Sequence, residues 1–432
     1  MKTGKRVCVI GAGPSGITAA KNFTDLGFDV TVFEAGEQVG GNWRFHDNTE
    51  HTSVFETTHI ISSKISSQYE DYPLPAEAPD YPHHSQLLSY FEGYARHFQL
   101  MPLIQFNTMV KKCDPLPDGR WNVSVETGGR TRTSTFDALA VCNGHHWKPR
   151  WPEYPGTFSG EVSHSHSFKR AEPYGDKRVL VVGGGNSACD IAVETSRVSK
   201  YTEISWRRGY WLVPKFVLGN PSDAFYYKFS FFPRWAKIII SEILLRVLLG
   251  KNSRIGLQNP DHWFGSTHPT VNSELYYFIR HGRVRPRVDI DRFDGKTVRF
   301  KDGTSQEFDA VIYATGYWID HPFFDKSVVD FSRGPVPLYL RFLPGNLKNC
   351  YFIGLFQPLG CIWPGAELQS KIAARHLAGL WSAPADLEAR IREEMEHPDY
   401  NQLATPRHTI TVDDIFFRKR LRKELRRARK AA

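Results

Sequence analysis

Arg6-Val-Cys-Val-Ile-Gly-Ala-Gly-Pro-Ser-Gly16 and, further along the chain, Arg178-Val-Leu-Val-Val-Gly-Gly-Gly-Asn-Ser-Ala188 repeat one pattern. Each is a short β-branched run, then GxGxxG or GxGxxA, then a helix opening of small residues, Ile17-Thr-Ala-Ala20 and Cys189-Asp-Ile-Ala192. The spacing carries chemistry. Gly11 and Gly183 make a tight turn, Gly13 and Gly185 let the backbone approach a pyrophosphate, and Gly16 and Ala188 permit close helix–strand packing. Pro14 and Ser15, then Asn186 and Ser187, open helices whose free N–H groups and positive dipole end face the phosphates.

The strand ends downstream of the two turns differ. After the first, Thr31-Val-Phe33 runs into Glu34 at the distance where an acid bonds ribose hydroxyls. After the second, that place falls on Trp206, with Arg207 and Arg208 next in the chain. An acid favours an unphosphorylated ribose, whereas two arginines bind a 2′-phosphate. The expected ligands are FAD at the first turn and NADPH, in preference to NADH, at the second.

Other runs fill in an α/β fold of two nested Rossmann-like dinucleotide-binding domains, each a parallel sheet with small antiparallel additions. Phe136-Asp-Ala-Leu-Ala-Val-Cys-Asn-Gly144 and Phe308-Asp-Ala-Val-Ile-Tyr-Ala-Thr-Gly316 both read as an acid, a buried parallel strand and a glycine turn. They mark crossings between the nucleotide domains, and Trp121-Asn-Val-Ser-Val125 and Thr297-Val-Arg-Phe300 supply antiparallel strands before them. The expected division is 1–150 with 308–400 for FAD, 151–307 for NADP, and a C-terminal extension at 401–432. An aromatic and aliphatic stretch at about 211–270 interrupts the second domain and contains an amphipathic helix, Trp235 to Leu249.

Composition narrows the function. The 432 residues are 41% apolar and 13% aromatic, with a net charge of +9. Nine basic residues and one acid, Glu424, crowd Arg418 to Lys430 and account for almost all of that charge. The near-neutral remainder excludes a nucleic-acid-binding face. Six scattered cysteines have neither metal-ligand nor disulfide spacing, so no metal is expected and a cytoplasmic location is.

Phe158-Ser-Gly160-Glu-Val-Ser-His164-Ser-His-Ser-Phe168 fits FxGxxxHxxxF just before the second turn. This resembles the fingerprint of flavin-containing monooxygenases, as do Gly40-Gly41-Asn42-Trp43, Asp309-x-x-x-Tyr-Ala-Thr315-Gly316-Tyr317 and Tyr351-Phe-Ile-Gly-Leu-Phe-Gln357. The likeness runs from residue 5 to about 385. It implies that NADPH reduces FAD and that the flavin takes up O₂ as a C4a-hydroperoxide, which oxygenates a small amine or sulfide. No acid/base triad is then needed, and His164 and Tyr317 become NADP-positioning or hinge groups. Gly41, Asn42, Trp43 and Gln357 are carried over to the flavin, and Thr315 and Gly316 to the crossing.

One position departs from the family. Many members place an Asn amide at the flavin edge, where this chain has Ile61, beside Ser62 and Ser63. Isoleucine offers no hydrogen bond, so Ser62 or Ser63 is the expected substitute. Without one, Baeyer–Villiger oxygenation of a ketone or uncoupled NADPH oxidation stays open. A non-catalytic nucleotide-binding scaffold recruited by the basic tail is the alternative of another class. Peripheral membrane contact is expected at 236–250 or 415–432, where Phe417, Leu421 and Leu425 form a stripe, and a homodimer is the expected assembly.

Overall fold

The computed structural model describes residues 3–46, 52–229, 231–332, 334, 336–397 and 409–430. The chain divides into two compact units. The first comprises Met1–Arg44, Lys64–His145 and Ile319–Ala432, and the second Phe45–Ser63 and His146–Trp318.

The first unit is built on five parallel strands in the order Cys350–Phe352, Ala138–Val141, Arg6–Ile10, Asp29–Phe33, Ile104–Gln105. Its central strands bury both faces, as all-parallel sheets do. The helix Pro14–Asp25 comes after the first strand and packs on the helix Ile362–Leu377. Asn22 joins them with a buried hydrogen bond to the Ser370 hydroxyl at 2.8 Å. A three-stranded antiparallel sheet, Thr108–Pro115, Trp121–Thr127 and Arg130–Phe136, precedes the crossing strand.

The second unit repeats the plan with strands ordered Val284–Arg287, Tyr201–Ser205, Arg178–Val182, Ala310–Tyr313, Glu161–His164, again all parallel. Its antiparallel addition is Ile290–Asp294, Thr297–Phe300 and Ser305–Glu307. The fifth strands have opposite origins. Cys350–Phe352 enters the first sheet from far downstream, whereas Glu161–His164 enters the second before its glycine turn is reached.

Residues 45–63, 146–150 and 308–318 fall in the second unit, where the expected division put them in the first. Residues 308–318 stay with the second unit, because Ala310–Tyr313 pairs with Arg178–Val182 in register from Val179↔Ala310 to Val182↔Tyr313. Residues 45–63 also join the second unit: the buried Lys169 ammonium donates to the carbonyls of Thr52 at 2.7 Å and Val54 at 3.2 Å. A buried cation needs such acceptors. Of the C-terminal extension, residues 401–408 lie outside the described residues.

The extension's helix, Asp414–Lys430, belongs to the first unit. Phe417 and Leu421 are buried there, with Phe417 against Phe356 at 4.8 Å. Arg422 bonds Glu70 at 2.7 Å, Arg420 bonds Glu394, and Glu424 accepts from the Trp381 indole at 3.2 Å. The stripe read as available to a lipid surface therefore faces protein. The insertion helix, Arg234–Leu248, does the opposite: only Lys237 and Leu245 are buried along it. No helix among the described residues is long and apolar enough to cross a membrane.

Candidate functional site

In the first unit the turn has the geometry that its glycines imply. Gly11 sits at φ +95°, and a Cβ there would lie 2.9 Å from the Cys142 carbonyl oxygen. A Cβ on Gly16 would lie 1.8 Å from the Gly11 oxygen, so the helix can approach the strand only without a side chain. Gly13 caps Pro14–Asp25 in extended backbone, with no side chain capping the helix and no acid in its first turn. Its N-terminus is thus left for an external anion.

Gly40 and Gly41 both have positive φ, and a Cβ on Gly41 would come within 2.9 Å of the Gly13 Cα. This apposition of two bare backbones forms a narrow cradle, and Trp43, two residues further on, meets Trp363 edge to face at 5.6 Å. Glu34 lies at the end of the second strand. Its carboxylate accepts from the N–H groups of Ala12 at 2.6 Å and Gly36 at 2.8 Å. Those bonds fix the acid beside the turn and leave lone pairs for ribose hydroxyls. Gln357 lies in the same unit, with its side chain 3.3 Å from His145 Nε2 and its N–H on the Ile410 carbonyl. Burial lowers the His145 pKa.

The second unit's turn is built by other means. Gly183 has φ +140°, and a Cβ there would fall 2.4 Å from the Ala314 carbonyl oxygen. Gly185 caps Asn186–Ser196, again with no side-chain cap and no acid in the first turn. A Cβ on Gly184 would run into the Tyr210 ring at 2.2 Å. Thr270 donates its hydroxyl proton to the Gly184 carbonyl at 2.7 Å. Asn186 turns its carbonyl to the Val271 N–H at 2.6 Å, which gives this residue a structural duty alongside its position at the turn. Trp206 is buried at the strand end, Arg207 is exposed, and Arg208 lies over the Tyr210 ring at 5.9 Å. The Arg208 Nε is buried without a partner among the described residues, which suits a missing phosphate oxygen.

Both cradles therefore fit dinucleotides: bare backbone at the turn, an unclaimed helix N-terminus, and an acid at one ribose position but arginines at the other.

His164 ends its strand opposite Tyr313. Its Nδ1 accepts from the His166 N–H at 3.1 Å, and burial, with a smaller push from His166, takes its pKa down to about 4. Tyr317 meets its ring edge to face with centroids 5.4 Å apart, bonded to Ser53 and Ser165, with its pKa raised by burial. Thr315 is held by Arg150: the hydroxyl donates to the Arg150 carbonyl at 2.6 Å, and the Thr315 carbonyl accepts from the guanidinium at 2.7 Å. Gly316 comes next at φ +85°. These residues hold the crossing strand to the strand pair Lys148–Pro149 and Tyr317–Trp318.

Ser62 and Ser63 are buried. Ser63 donates both its N–H, at 2.8 Å, and its hydroxyl proton, at 3.0 Å, to one oxygen of Asp223. Tyr210, Thr270 and Asp223 were not legible as site residues, since Tyr210 just precedes the insertion, the other two lie in it, and each acts on a residue distant in sequence. Among the described residues no cluster could hold a metal ion.

The chain matches the flavin-binding monooxygenase-like family over residues 4–425. It is 36% identical to flavin-containing monooxygenase 5 of Cavia porcellus over 436 residues, 96% of this chain and 81% of that one. The structure of S-allyl-L-cysteine S-oxygenase from Allium sativum is similar with a TM-score of 0.72 at 25% identity, over 97% of this chain and 88% of that one. OTEMO in complex with FAD and NADP has the same fold, with a TM-score of 0.75 at 18% identity over 98% of each chain. The chain belongs to the flavin-binding monooxygenase-like family and is an FAD-dependent NADPH monooxygenase.

Proposed function

We propose that the enzyme transfers one atom of O₂ to a soft nucleophile, a sulfide sulfur or an amine nitrogen, while NADPH supplies the electrons that reduce the other atom to water. Bound FAD supplies the activation of O₂. The protein's residues bind and orient. The Gly13–Gly41 cradle and Glu34 hold the flavin nucleotide, while the Gly183–Ala188 turn with Arg207 and Arg208 holds NADP(H).

The observation that carries the reading is the pair of dinucleotide cradles in one chain, with Glu34 at the ribose position of the first and Arg207 and Arg208 at that of the second, which suits a flavin reduced by NADPH. Burial pushes the His164 pKa down to about 4 and raises that of Tyr317, so the two serve as buried positioning groups at the crossing. Similarity to an S-oxygenase supports sulfur among the nucleophiles. Family membership sets aside a non-catalytic scaffold.

Ile61 favours a second reading, oxygenation of ketones or leakage to H₂O₂. Ser62 or Ser63 is the residue we place at the flavin edge, the Ser63 hydroxyl giving its proton to Asp223. The test is to reduce the flavoprotein with NADPH, admit O₂, and screen amines, sulfides and ketones by product mass. An S- or N-oxide supports the proposal. Stoichiometric H₂O₂ with no oxygenated product overturns it, and an ester from a ketone selects the second reading.

Peripheral membrane contact is assigned to the insertion helix. Trp235, Ile239, Ile243 and Val247 recur every fourth residue and are 67, 44, 57 and 77% exposed. Co-sedimentation with phosphatidylcholine–phosphatidylserine vesicles, lost in Ile243→Asn/Val247→Asn, is the expected result. Binding that survives in this variant removes the assignment. A homodimer is the expected assembly, to be read by light scattering.

A further inference from the structure

Residues 252–260 of the insertion lie against the strand end that carries Arg207 and Arg208. The Asn252 amide donates to the Tyr210 carbonyl at 2.9 Å and to the Gln258 carbonyl at 3.1 Å. Gln258 Nε2 donates to the Trp206 carbonyl at 2.8 Å. The two backbones are so close that a Cβ on Gly209 would fall 2.1 Å from the Asn259 oxygen. With Tyr210 and Thr270 already on Gly184, the insertion frames the second nucleotide turn from both ends.

Three polar atoms at this junction are buried and have no partner among the described residues: Arg208 Nε, Gln258 Oε1 and Trp206 Nε1. Leaving such an atom unbonded costs about 1–3 kcal/mol, so a group of them calls for a ligand or water. The Gln258 amide cannot relieve its own deficit by flipping. The Trp206 carbonyl requires the NH₂ group, and this leaves Oε1 as the unclaimed acceptor.

We propose that Gln258 is a coenzyme-reading residue: its Oε1 accepts a proton from the adenosine half of NADP(H), from a ribose hydroxyl or the adenine amino group, beside Arg208, whose Nε donates to the 2′-phosphate. Ligand discrimination is thereby shared between the Rossmann strand and the insertion. The proposal rests on the reading of the second turn as the NADP site.

The test is calorimetric binding to the FAD-loaded full chain, with 2′,5′-ADP and 5′-AMP as probes. Gln258→Met is expected to weaken both by roughly 5–10-fold, the value of one hydrogen bond. Arg208→Gln is expected to weaken 2′,5′-ADP by roughly 10–100-fold while leaving 5′-AMP within about twofold. The wild type supplies a test that needs no substitution. It should bind either 3′-deoxy-AMP or 5′-IMP roughly 5–10-fold more weakly than 5′-AMP, and Gln258→Met should erase that difference. Equal wild-type binding of all three nucleotides, or discrimination that survives in Gln258→Met, overturns the role of Gln258. Failure of the wild type to bind 2′,5′-ADP at all breaks instead the reading of the site on which the proposal rests.

Discussion

In the first unit a side chain at the third position of the glycine turn would lie 1.8 Å from the Gly11 carbonyl oxygen, whereas the second unit carries Ala188 there and buries its methyl group fully. The strand orders match and both helices begin uncapped. The difference lies in the means by which each turn is closed. The first closes on its own backbone, with Gly13 against Gly41 and Glu34 holding the Ala12 N–H. The second has a backbone contact of the same kind, Gly183 against the Ala314 carbonyl, and adds side chains, with Tyr210 over Gly184 and Thr270 on its carbonyl. The backbone contacts have no slack, while the added side chains can be adjusted by substitution.

The sharpest way to break this contrast is at the third position. Gly16→Ala should abolish retention of the flavin, read as the ratio of flavin to protein absorbance, because the neighbour it meets is backbone. Ala188→Gly should keep NADPH binding and lose only about 1 kcal/mol of stability, from the cost of glycine in a helix. If Gly16→Ala keeps its full complement of flavin, the first turn is not sterically closed.

A second contrast lies in the two amphipathic helices. Leu421 is fully buried within the first unit, so Leu421→Ala should cost about 2–5 kcal/mol by denaturant unfolding, a cost foreign to a detachable tail.

Next in size is the ribose acid. Glu34 accepts from two backbone N–H groups through its two oxygens. Glu34→Gln replaces one acceptor with a donor facing a donor. The expected cost is about 1–3 kcal/mol, or roughly 10–100-fold in FAD affinity. Among the described residues Arg207 and Arg208 supply no such backbone bonds, so changes there should alter the preference between NADPH and NADH with little effect on stability.

The elements legible in sequence were those whose physics is local. Glycine spacing, β-branched runs and the acid or arginines at the strand end all act within a few residues, and both cradles arise from them. The pairings that complete the site join residues far apart. Asp223 claims Ser63, Val271 claims the Asn186 carbonyl, and Tyr210 covers Gly184 from just before the insertion. The basic tail's pairings are of the same kind: Arg422 and Arg420 find Glu70 and Glu394, which no spacing rule connects to them.

Each unit also holds a histidine whose pKa burial lowers far, His164 in the second and His321 in the first. Burial pushes both pKa values down to about 4, against about 6.5 in an unfolded chain. The unfolded state therefore binds more protons between pH 4 and 6.5. The stability conferred by the neutral rings is complete above pH 6.5 and is lost as pH falls through that window. By pH 5 each site should have cost about 2 kcal/mol. Melting followed from pH 7 to 5 should fall steeply, and His164→Gln and His321→Phe should each flatten part of the slope. Equal slopes in all three proteins would contradict the neutral assignments.

The smallest effect expected on stability discriminates best between the two helices. Val247 is 77% exposed on Arg234–Leu248, so folding gains little from its burial. Val247→Asn should change unfolding free energy by no more than about 0.5 kcal/mol. Two helices of similar amphipathic character thus respond oppositely to a polar or truncating change. The basic one loses stability because its apolar stripe is part of a core, and the aliphatic one does not because its stripe faces outward. A Val247→Asn penalty as large as that of Leu421→Ala would mean that the insertion helix is packed in solution, and the membrane assignment would fall with it.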